Sequence, residues 1–188
     1  MRLFVALNLP AAVRRALWEV TTPLRDMDLP VRWVRPEGIH LTLKFLGEVP
    51  DETEPDVRAA LGRAAHGGGE GRPLPLTVQG FGAFPAAERA KVIWAGIDGD
   101  PGIELLQHRV EREFEPLGFA PDGRAFRPHV TLGRAERDAR PRAFARLAPA
   151  LAALQYHETT LVETVDLMQS TLQSGGSVYQ VRHSERLS

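Results

Sequence analysis

Two short motifs in the sequence pair a histidine with a threonine two residues later, His40 with Thr42 and His129 with Thr131. In a β-strand, residues two apart point to the same side, so each pair would share one face. With an ordinary pKa of about 6.5, histidine can donate or accept a proton near neutral pH. Two imidazoles suit displacement at phosphorus, in which one deprotonates the attacking oxygen and the other protonates the departing oxygen. The threonine hydroxyls can donate to the phosphate oxygens that gather negative charge.

Positive charge accompanies both motifs. By the same alternation Lys44 is expected on the face of His40, and Arg127 on the face of His129. Arg127 can equally be a solvated charge at the strand edge. The second motif lies in a segment with seven arginines and two acids, a net charge of +5: Arg124, Arg127, Arg134, Arg137, Arg140, Arg142 and Arg146.

The elements that would position the motifs follow from hydrophobic periodicity and from Gly and Pro signals. Predicted strands cover residues 2–9, 31–34, 40–47, 74–81, 91–97, 127–134, 159–172 and 177–183. Predicted helices cover residues 10–24, 54–65 (closed by glycines 67–69), 103–114 and 143–153. Residues 36–43 resemble residues 128–132, and a helix follows each segment. This repeat indicates two lobes related by a pseudo-twofold axis, with the motifs facing each other.

Composition limits the functional classes. The 188 residues are 43% hydrophobic, which fits one domain over residues 1–188 without a separable linker. The absence of cysteine excludes thiol catalysis and disulfides, and with the lack of a spanning or signal segment it predicts a cytoplasmic protein. No metal-ligand spacing accompanies either histidine, and the glycines at 67–69 lack the Lys-Ser/Thr of a nucleotide phosphate loop. We therefore expect no metal, no cofactor and no membrane contact.

The net charge of −1 does not suit a protein that holds duplex nucleic acid through many phosphates. A nucleic-acid partner would be held locally, and a single-stranded RNA end suits such a site. We expect the protein to act as a monomer.

At these residues the sequence resembles the two-histidine phosphoesterase superfamily, and within it the RNA 2′,3′-cyclic phosphodiesterase or 2′-5′ RNA ligase family. The resemblance spans nearly the whole chain and includes residues 2–7, 33–34, 40–47, 80–84, 92–97, 127–134, 167–172 and 176–179. It implies a bilobal α+β fold, with antiparallel sheets, helices outside and a central cleft. It also implies hydrolysis of RNA 2′,3′-cyclic phosphate ends to 2′-phosphomonoesters, and a reversible 2′-5′ joining activity.

The resemblance further implies roles for single residues. His40 would donate a proton to the departing 3′ oxygen, His129 would accept the proton of the attacking water, and the two threonines would hold the phosphate. An aromatic residue, Phe45, and an arginine, Arg134, stand five positions after the two histidines. In a regular strand that odd offset places both on the opposite face, but a bulge beside Gly133 could return Arg134 to the phosphate. Phe45 is left open between core and site.

Three alternatives use the same residues. The first is an RNA-binding or nucleotide-binding module without turnover, which would bind tightly and not catalyse. The second is an RNA ligase, which differs in the direction that matters in the cell. The third is hydrolysis of small cyclic phosphates such as ADP-ribose 1″,2″-cyclic phosphate, which activity on mononucleotides and oligonucleotides would distinguish.

Overall fold

The computed structural model describes residues 1–68, 72–98 and 100–188, and the last glycine of the predicted triplet at 67–69 lies outside them. The strands are β1 (Arg2–Asn8), β2 (Val31–Trp33), β3 (His40–Glu48), β4 (Leu74–Phe84), β5 (Val92–Asp98), β6 (His129–Ala135), β7 (His157–Val162), β8 (Thr164–Gln173) and β9 (Gly176–Arg186). The helices are α1 (Ala11–Val20), α2 (Thr22–Arg25), α3 (Glu54–His66), α4 (Pro101–Phe114) and α5 (Leu147–Ala153).

The strands form one antiparallel sheet in the order β7-β4-β5-β6-β3-β1-β8-β9, with β2 paired to β6. The order is symmetric about the junction of β3 and β6. We call strands β3, β1, β8 and β9 the His40 half, and strands β6, β5, β4 and β7 the His129 half. The predicted α+β fold with two related lobes is confirmed, with the two lobes joined in a continuous sheet.

One face of the sheet carries the main hydrophobic core. Helix α4 packs on β3 and β4, α3 packs on α4 and β9, and α5 packs on β4. Alternation along β1 shows the two faces: Leu3, Val5 and Leu7 belong to the helix-side core, whereas Phe4 and Ala6 form a smaller buried cluster on the other side. We call this second side the cleft face. In the described part of the chain, no helix has the length and apolar character needed to cross a membrane.

The C-terminal region departs from the sequence prediction in two places. The predicted strand over residues 159–172 is two strands: β7 pairs with β4 in one half, and β8 pairs with β1 in the other. The chain leaves one edge of the sheet at Glu163 and enters the interior of the opposite half. The predicted helix over residues 143–153 begins only at Leu147, because Pro141 opens a separate 3₁₀ turn that ends at Phe144. Pro149 then lies in the first turn of α5, where its missing N–H costs nothing.

Candidate active site

The two motifs meet where the halves meet. Leu41 of β3 pairs with Val130 of β6 in antiparallel register, and both residues are buried on the core face. The flanking residues of an antiparallel pair lie opposite each other, so His40 falls beside Thr131 and Thr42 beside His129. The predicted juxtaposition of the motifs is therefore present, and all four polar side chains belong to the cleft face.

Hydrogen bonds fix the orientation of the His40 ring. Its Nδ1 lies 2.7 Å from the carbonyl oxygen of Gly38, and its Nε2 lies 3.0 Å from Oγ1 of Thr42. A carbonyl can only accept, so Nδ1 carries the hydrogen, and in the neutral ring Nε2 accepts from the threonine hydroxyl. Phe4 and Tyr179 pack on the ring, with centroid separations of 4.9 and 5.1 Å. Nε2 is thus the atom presented for proton transfer.

His129 is held in the same way. Its Nδ1 lies 2.7 Å from the carbonyl oxygen of Arg127, two residues earlier in the chain. Phe84 contacts the ring edge-on at 5.1 Å and lies 5.2 Å from Trp94. In this arrangement Arg127 contributes its backbone carbonyl, and its side chain is exposed to solvent. Both histidines therefore direct Nδ1 into the backbone and leave Nε2 for chemistry.

The environment of His40 disfavours the imidazolium. The pKa of His40 is lowered from 6.5 to about 4, mainly by burial and also by the positive charges of Arg134 and His129, whereas the hydrogen bond to Gly38 acts in the opposite direction. The register of β3 and β6 places His129 close to His40 on the same face. In the free protein His40 is accordingly neutral at neutral pH.

A bulge in β6 places Arg134 on the cleft face. Thr131 pairs with Trp94 and Gly133 pairs with Ile93, so Leu132 is an extra residue between the two pairs. The insertion shifts the alternation by one position, and Arg134 comes to the same side as His129. Its side chain is exposed. The odd offset that argued against Arg134 from the sequence is therefore removed by the backbone.

A matching bulge in β3 reverses the prediction for Lys44. Thr42 pairs with Ala6 and Lys44 pairs with Val5, which makes Leu43 the extra residue. Lys44 therefore points to the helix-side core, where its Nζ lies 2.5 Å from Oε2 of Glu111 and 2.9 Å from the Ala120 carbonyl oxygen. Only 4% of its side chain is exposed. The predicted place of Lys44 in the site is wrong, because simple alternation does not survive the bulge.

The same bulge brings Phe45 to the cleft face. It pairs with Phe4, its ring centroid lies 6.1 Å from that of Phe4, and 67% of the residue is exposed. Phe45 is therefore not a core residue. An exposed aromatic ring of this kind, separated from His40 by Phe4, offers an apolar surface to a ligand.

Sequence reasoning from the motifs missed several residues around His40. Asn8 pairs with His40 across the strands, and its Nδ2 donates to Oδ2 of the buried Asp166 at 2.6 Å. Phe4 and Tyr179 form the apolar wall. A usable signal was the alternation of Phe4, Ala6 and Asn8 along β1; the pairing of β1 with β8, which brings in Asp166, spans most of the chain and leaves no local signal.

The chain matches a known protein family and its members over most of its length. Residues 13–173 match the family model described as the 2′-5′ RNA ligase superfamily. A Thermus thermophilus relative named RNA 2′,3′-cyclic phosphodiesterase is 35% identical over 189 residues, which cover 96% of this chain and 87% of the relative. A relative of the same name from Methanothermobacter thermautotrophicus is 30% identical over 181 residues, 95% of each chain.

Solved structures agree in fold. A crystal structure of a protein from Thermus thermophilus superposes with a TM-score of 0.82 at 31% identity, covering 100% of this chain and 98% of the other. The structure of E. coli LigT in complex with 3′-AMP superposes with a TM-score of 0.76 at 25% identity, covering 99% and 97% of the two chains.

Proposed function

The chain belongs to the 2′-5′ RNA ligase superfamily, and from this membership we propose that it is an enzyme that hydrolyses RNA 2′,3′-cyclic phosphate ends to 2′-phosphomonoesters. The observation that carries the proposal is the junction of β3 and β6, which brings two His-Thr pairs together in antiparallel register. Each imidazole has one nitrogen hydrogen-bonded to the backbone, which leaves the other nitrogen for the reaction.

The proposed reaction is an in-line displacement at phosphorus. Nε2 of His129 accepts a proton from water as the water oxygen bonds to phosphorus. The bond between phosphorus and the 3′ oxygen breaks, and Nε2 of His40 gives its proton to that oxygen. The products are a free 3′ hydroxyl and a 2′-phosphomonoester. The assignment of His40 as acid and His129 as base follows the family resemblance. In the reverse reaction the two histidines exchange these roles.

Negative charge on the phosphate would be met by side chains of the cleft face. The hydroxyls of Thr42 and Thr131 donate to non-bridging oxygens, and the guanidinium of Arg134 can donate two parallel hydrogen bonds to the same group. The hydroxyl of Thr42 already points toward the His40 ring at 3.0 Å. When phosphate binds, this hydroxyl can turn from the imidazole to a phosphate oxygen.

The low pKa of His40 sets a condition on its role as acid. With a pKa of about 4, the free enzyme holds His40 neutral at neutral pH. A bound anion next to the ring raises the pKa by direct attraction and by offsetting the charge of Arg134. Substrate binding would thus load the general acid with its proton, which couples the acid form to the presence of phosphate.

The proposed chemistry needs no resident metal or cofactor, because water is the nucleophile and the two imidazoles handle the protons. Among residues 1–68, 72–98 and 100–188, no group of three or more His, Asp or Glu side chains is arranged to hold a metal ion. Full activity in excess EDTA would support this part of the proposal, and loss of activity that added divalent metal restores would overturn it.

The deciding experiment incubates the protein in EDTA with a short RNA that ends in a 2′,3′-cyclic phosphate, and identifies the phosphomonoester formed. His40→Ala and His129→Ala are run beside the wild type, with His108→Ala as a control because His108 is an exposed helix residue. We expect a 2′-phosphate from the wild type and the control alone. A 3′-phosphate would contradict departure of the 3′ oxygen, and tight RNA binding without turnover would favour the binding-module alternative.

Two further assays would define the preferred substrate and the capacity for 2′-5′ joining. Rates on ADP-ribose 1″,2″-cyclic phosphate and on cyclic-phosphate RNA separate a small-molecule enzyme from an RNA enzyme. Incubation of cyclic-phosphate RNA with RNA bearing a 5′ hydroxyl measures 2′-5′ joining, which uses the same groups in reverse. We propose that a cytoplasmic monomer acts on single-stranded ends, and gel filtration tests the monomeric state.

A further inference from the structure

A second arginine lies beside Arg134. In the pairing of β2 with β6, Arg32 stands directly opposite Arg134, between the pairs Val31 with Ala135 and Trp33 with Gly133. Residues directly opposite in an antiparallel pair lie on the same face, with Cβ atoms about 4.5–5.5 Å apart. Arg32 therefore shares the face of Arg134, although no motif of the sequence includes it.

Packing on the opposite side of β2 supports this orientation. A Cβ atom built on Gly133 would lie 2.6 Å from Cγ1 of Val31 and 2.8 Å from Cε3 of Trp33. Val31 is buried in the main core. Since Val31 and Trp33 are on the core face around Gly133, Arg32 between them must project to the cleft face.

The side chain of Arg32 reaches toward the His40 half. Its Cδ lies 3.4 Å from the Cβ position of Gly176, the first residue of β9. The same strand carries Tyr179, which packs on His40. Arg32 thus spans one end of the cleft, from the strand next to Arg134 to the strand that holds the wall of His40.

The charges of the two arginines are unbalanced. In the part of the chain that the structure describes, neither Arg32 nor Arg134 forms an ion pair with a carboxylate, and both are exposed. Like charges directly opposite in a sheet are destabilising. A pair of guanidiniums in this position is suited to binding anions, because each can donate bidentate hydrogen bonds to phosphate oxygens.

We propose that Arg32 binds the phosphodiester next to the terminal cyclic phosphate, while Arg134 binds the terminal phosphate itself. The inference rests on the proposed function and adds a substrate class: RNA of two or more nucleotides is preferred over a nucleoside 2′,3′-cyclic phosphate. A mononucleotide has one phosphate and leaves Arg32 unused. Arg32 is therefore a specificity residue, and it takes no part in the bonds that form and break.

The test compares a dinucleotide that ends in a 2′,3′-cyclic phosphate with the mononucleotide that has the same terminal base. For Arg32→Gln we expect kcat/KM on the dinucleotide to fall about tenfold, mainly through KM, with the mononucleotide unchanged. The slope of log(kcat/KM) against log[salt] for the dinucleotide should also become shallower by about one phosphate contact. Arg112→Gln removes the same charge from helix α4, which packs on the other face of the sheet, and should leave both substrates unaffected.

An equal loss on both substrates, or no loss on either, would overturn the assignment of Arg32. If the wild type turned over neither substrate, the proposed function would fail instead. Binding of the dinucleotide and mononucleotide 2′-phosphates, measured by calorimetry for the wild type and Arg32→Gln, would then decide the inference without turnover. A selective loss of dinucleotide affinity would support it, and equal affinities in both proteins would refute it.

Discussion

The two halves of the sheet use the same backbone device with different side chains. In each, one extra residue follows the His-x-Thr segment, Leu43 in β3 and Leu132 in β6. In each, the fifth residue after the histidine then returns to the cleft face. The His40 half presents the ring of Phe45 at this position, and the His129 half presents the guanidinium of Arg134. The comparison teaches that duplicated geometry can serve different ends, one half offering an apolar surface and the other a charge.

The residues that precede Phe45 and Arg134 lie on the core face, and they differ as strongly between the two halves. Lys44 is a buried cation that ties β3 to Glu111 of α4. Its counterpart Gly133 has no side chain, because Val31 and Trp33 of β2 occupy the space where a Cβ would lie. One bulge is therefore held by an ion pair to a helix, and the other by close packing of an added strand.

The largest expected effect comes from replacing either histidine, and it tests whether both halves are required for catalysis. His40→Ala and His129→Ala should each lower kcat on cyclic-phosphate RNA by about 10³-fold, because each removes one proton-transfer group. The double variant should lose little more than either single variant, since the two groups act together in the proposed concerted step. Single-turnover rates measure both effects. A variant that kept more than a tenth of the activity would show that its half is dispensable.

Replacing one member of the buried ion pair should cost the most stability. Lys44→Met leaves the largely buried Glu111 without its cation, and we expect the free energy of unfolding to fall by about 3–5 kcal/mol. Lys44→Met combined with Glu111→Leu should recover much of this loss. Urea denaturation measures both values.

The counterpart change Gly133→Ala should destabilise by about 1–3 kcal/mol through overpacking against Val31 and Trp33. If Lys44→Met instead kept its stability but bound phosphate less tightly, the sequence-based prediction that Lys44 belongs to the site would be restored.

Removal of the guanidinium should weaken catalysis more than binding. Arg134→Gln deletes the charged donor that we propose for the phosphate in the transition state, so we expect kcat to fall by about 10²–10³-fold. Arg127→Gln is the matched control, because Arg127 contributes its backbone carbonyl to His129 and its side chain is exposed. If Arg127→Gln were as damaging as Arg134→Gln, the charge of the whole segment would matter more than the bulge.

The pKa of His40 provides a test in the free protein. NMR titration of the imidazole should give a value of about 4, and saturating inorganic phosphate should raise it. In the unfolded chain His40 has its ordinary pKa of about 6.5, so between pH 6.5 and 4 the unfolded state binds a proton that the folded state does not. The free energy of unfolding should therefore fall as the pH drops through this range, by at most about 3 kcal/mol. His40→Asn should lack that part of the pH dependence. An unshifted titration would contradict the buried, positively charged setting of the ring.

The smallest effect concerns the apolar counterpart of Arg134. Phe45→Ala should raise KM for cyclic-phosphate RNA by about tenfold and leave kcat nearly unchanged, because a stacked base contributes about 1–3 kcal/mol. Phe45→Tyr, which keeps the ring, should behave as the wild type. A loss confined to kcat would mean that Phe45 orients His40 through Phe4 and does not contact the base.

The sequence was sufficient for what depends on repetition and alternation. The paired histidines and threonines, most strands, and the α+β class with two lobes could be predicted from residues 40–43, residues 129–132 and the periodicity around them. The direction of Lys44 could not, because a bulge depends on the register with β1, and nothing in the local pattern marks Leu43 as the extra residue. Arg32 was also missed, since its position is set by a strand pairing across a hundred residues.

At Glu163 the chain crosses from β7 in one half to β8 in the other, and this crossing has a consequence for how the protein folds. The strands β4 to β7 come from one continuous stretch, residues 74–162, whereas β1 has β3 on one side and β8 on the other. On a ribosome, β1 keeps an unpaired edge until residues 164–173 emerge, and contacts this distant in sequence form slowly. The His129 half can therefore pair β4, β5, β6 and β7 from one continuous segment, whereas the wall of His40, which includes Tyr179, forms only after β1 has paired with the distant β8.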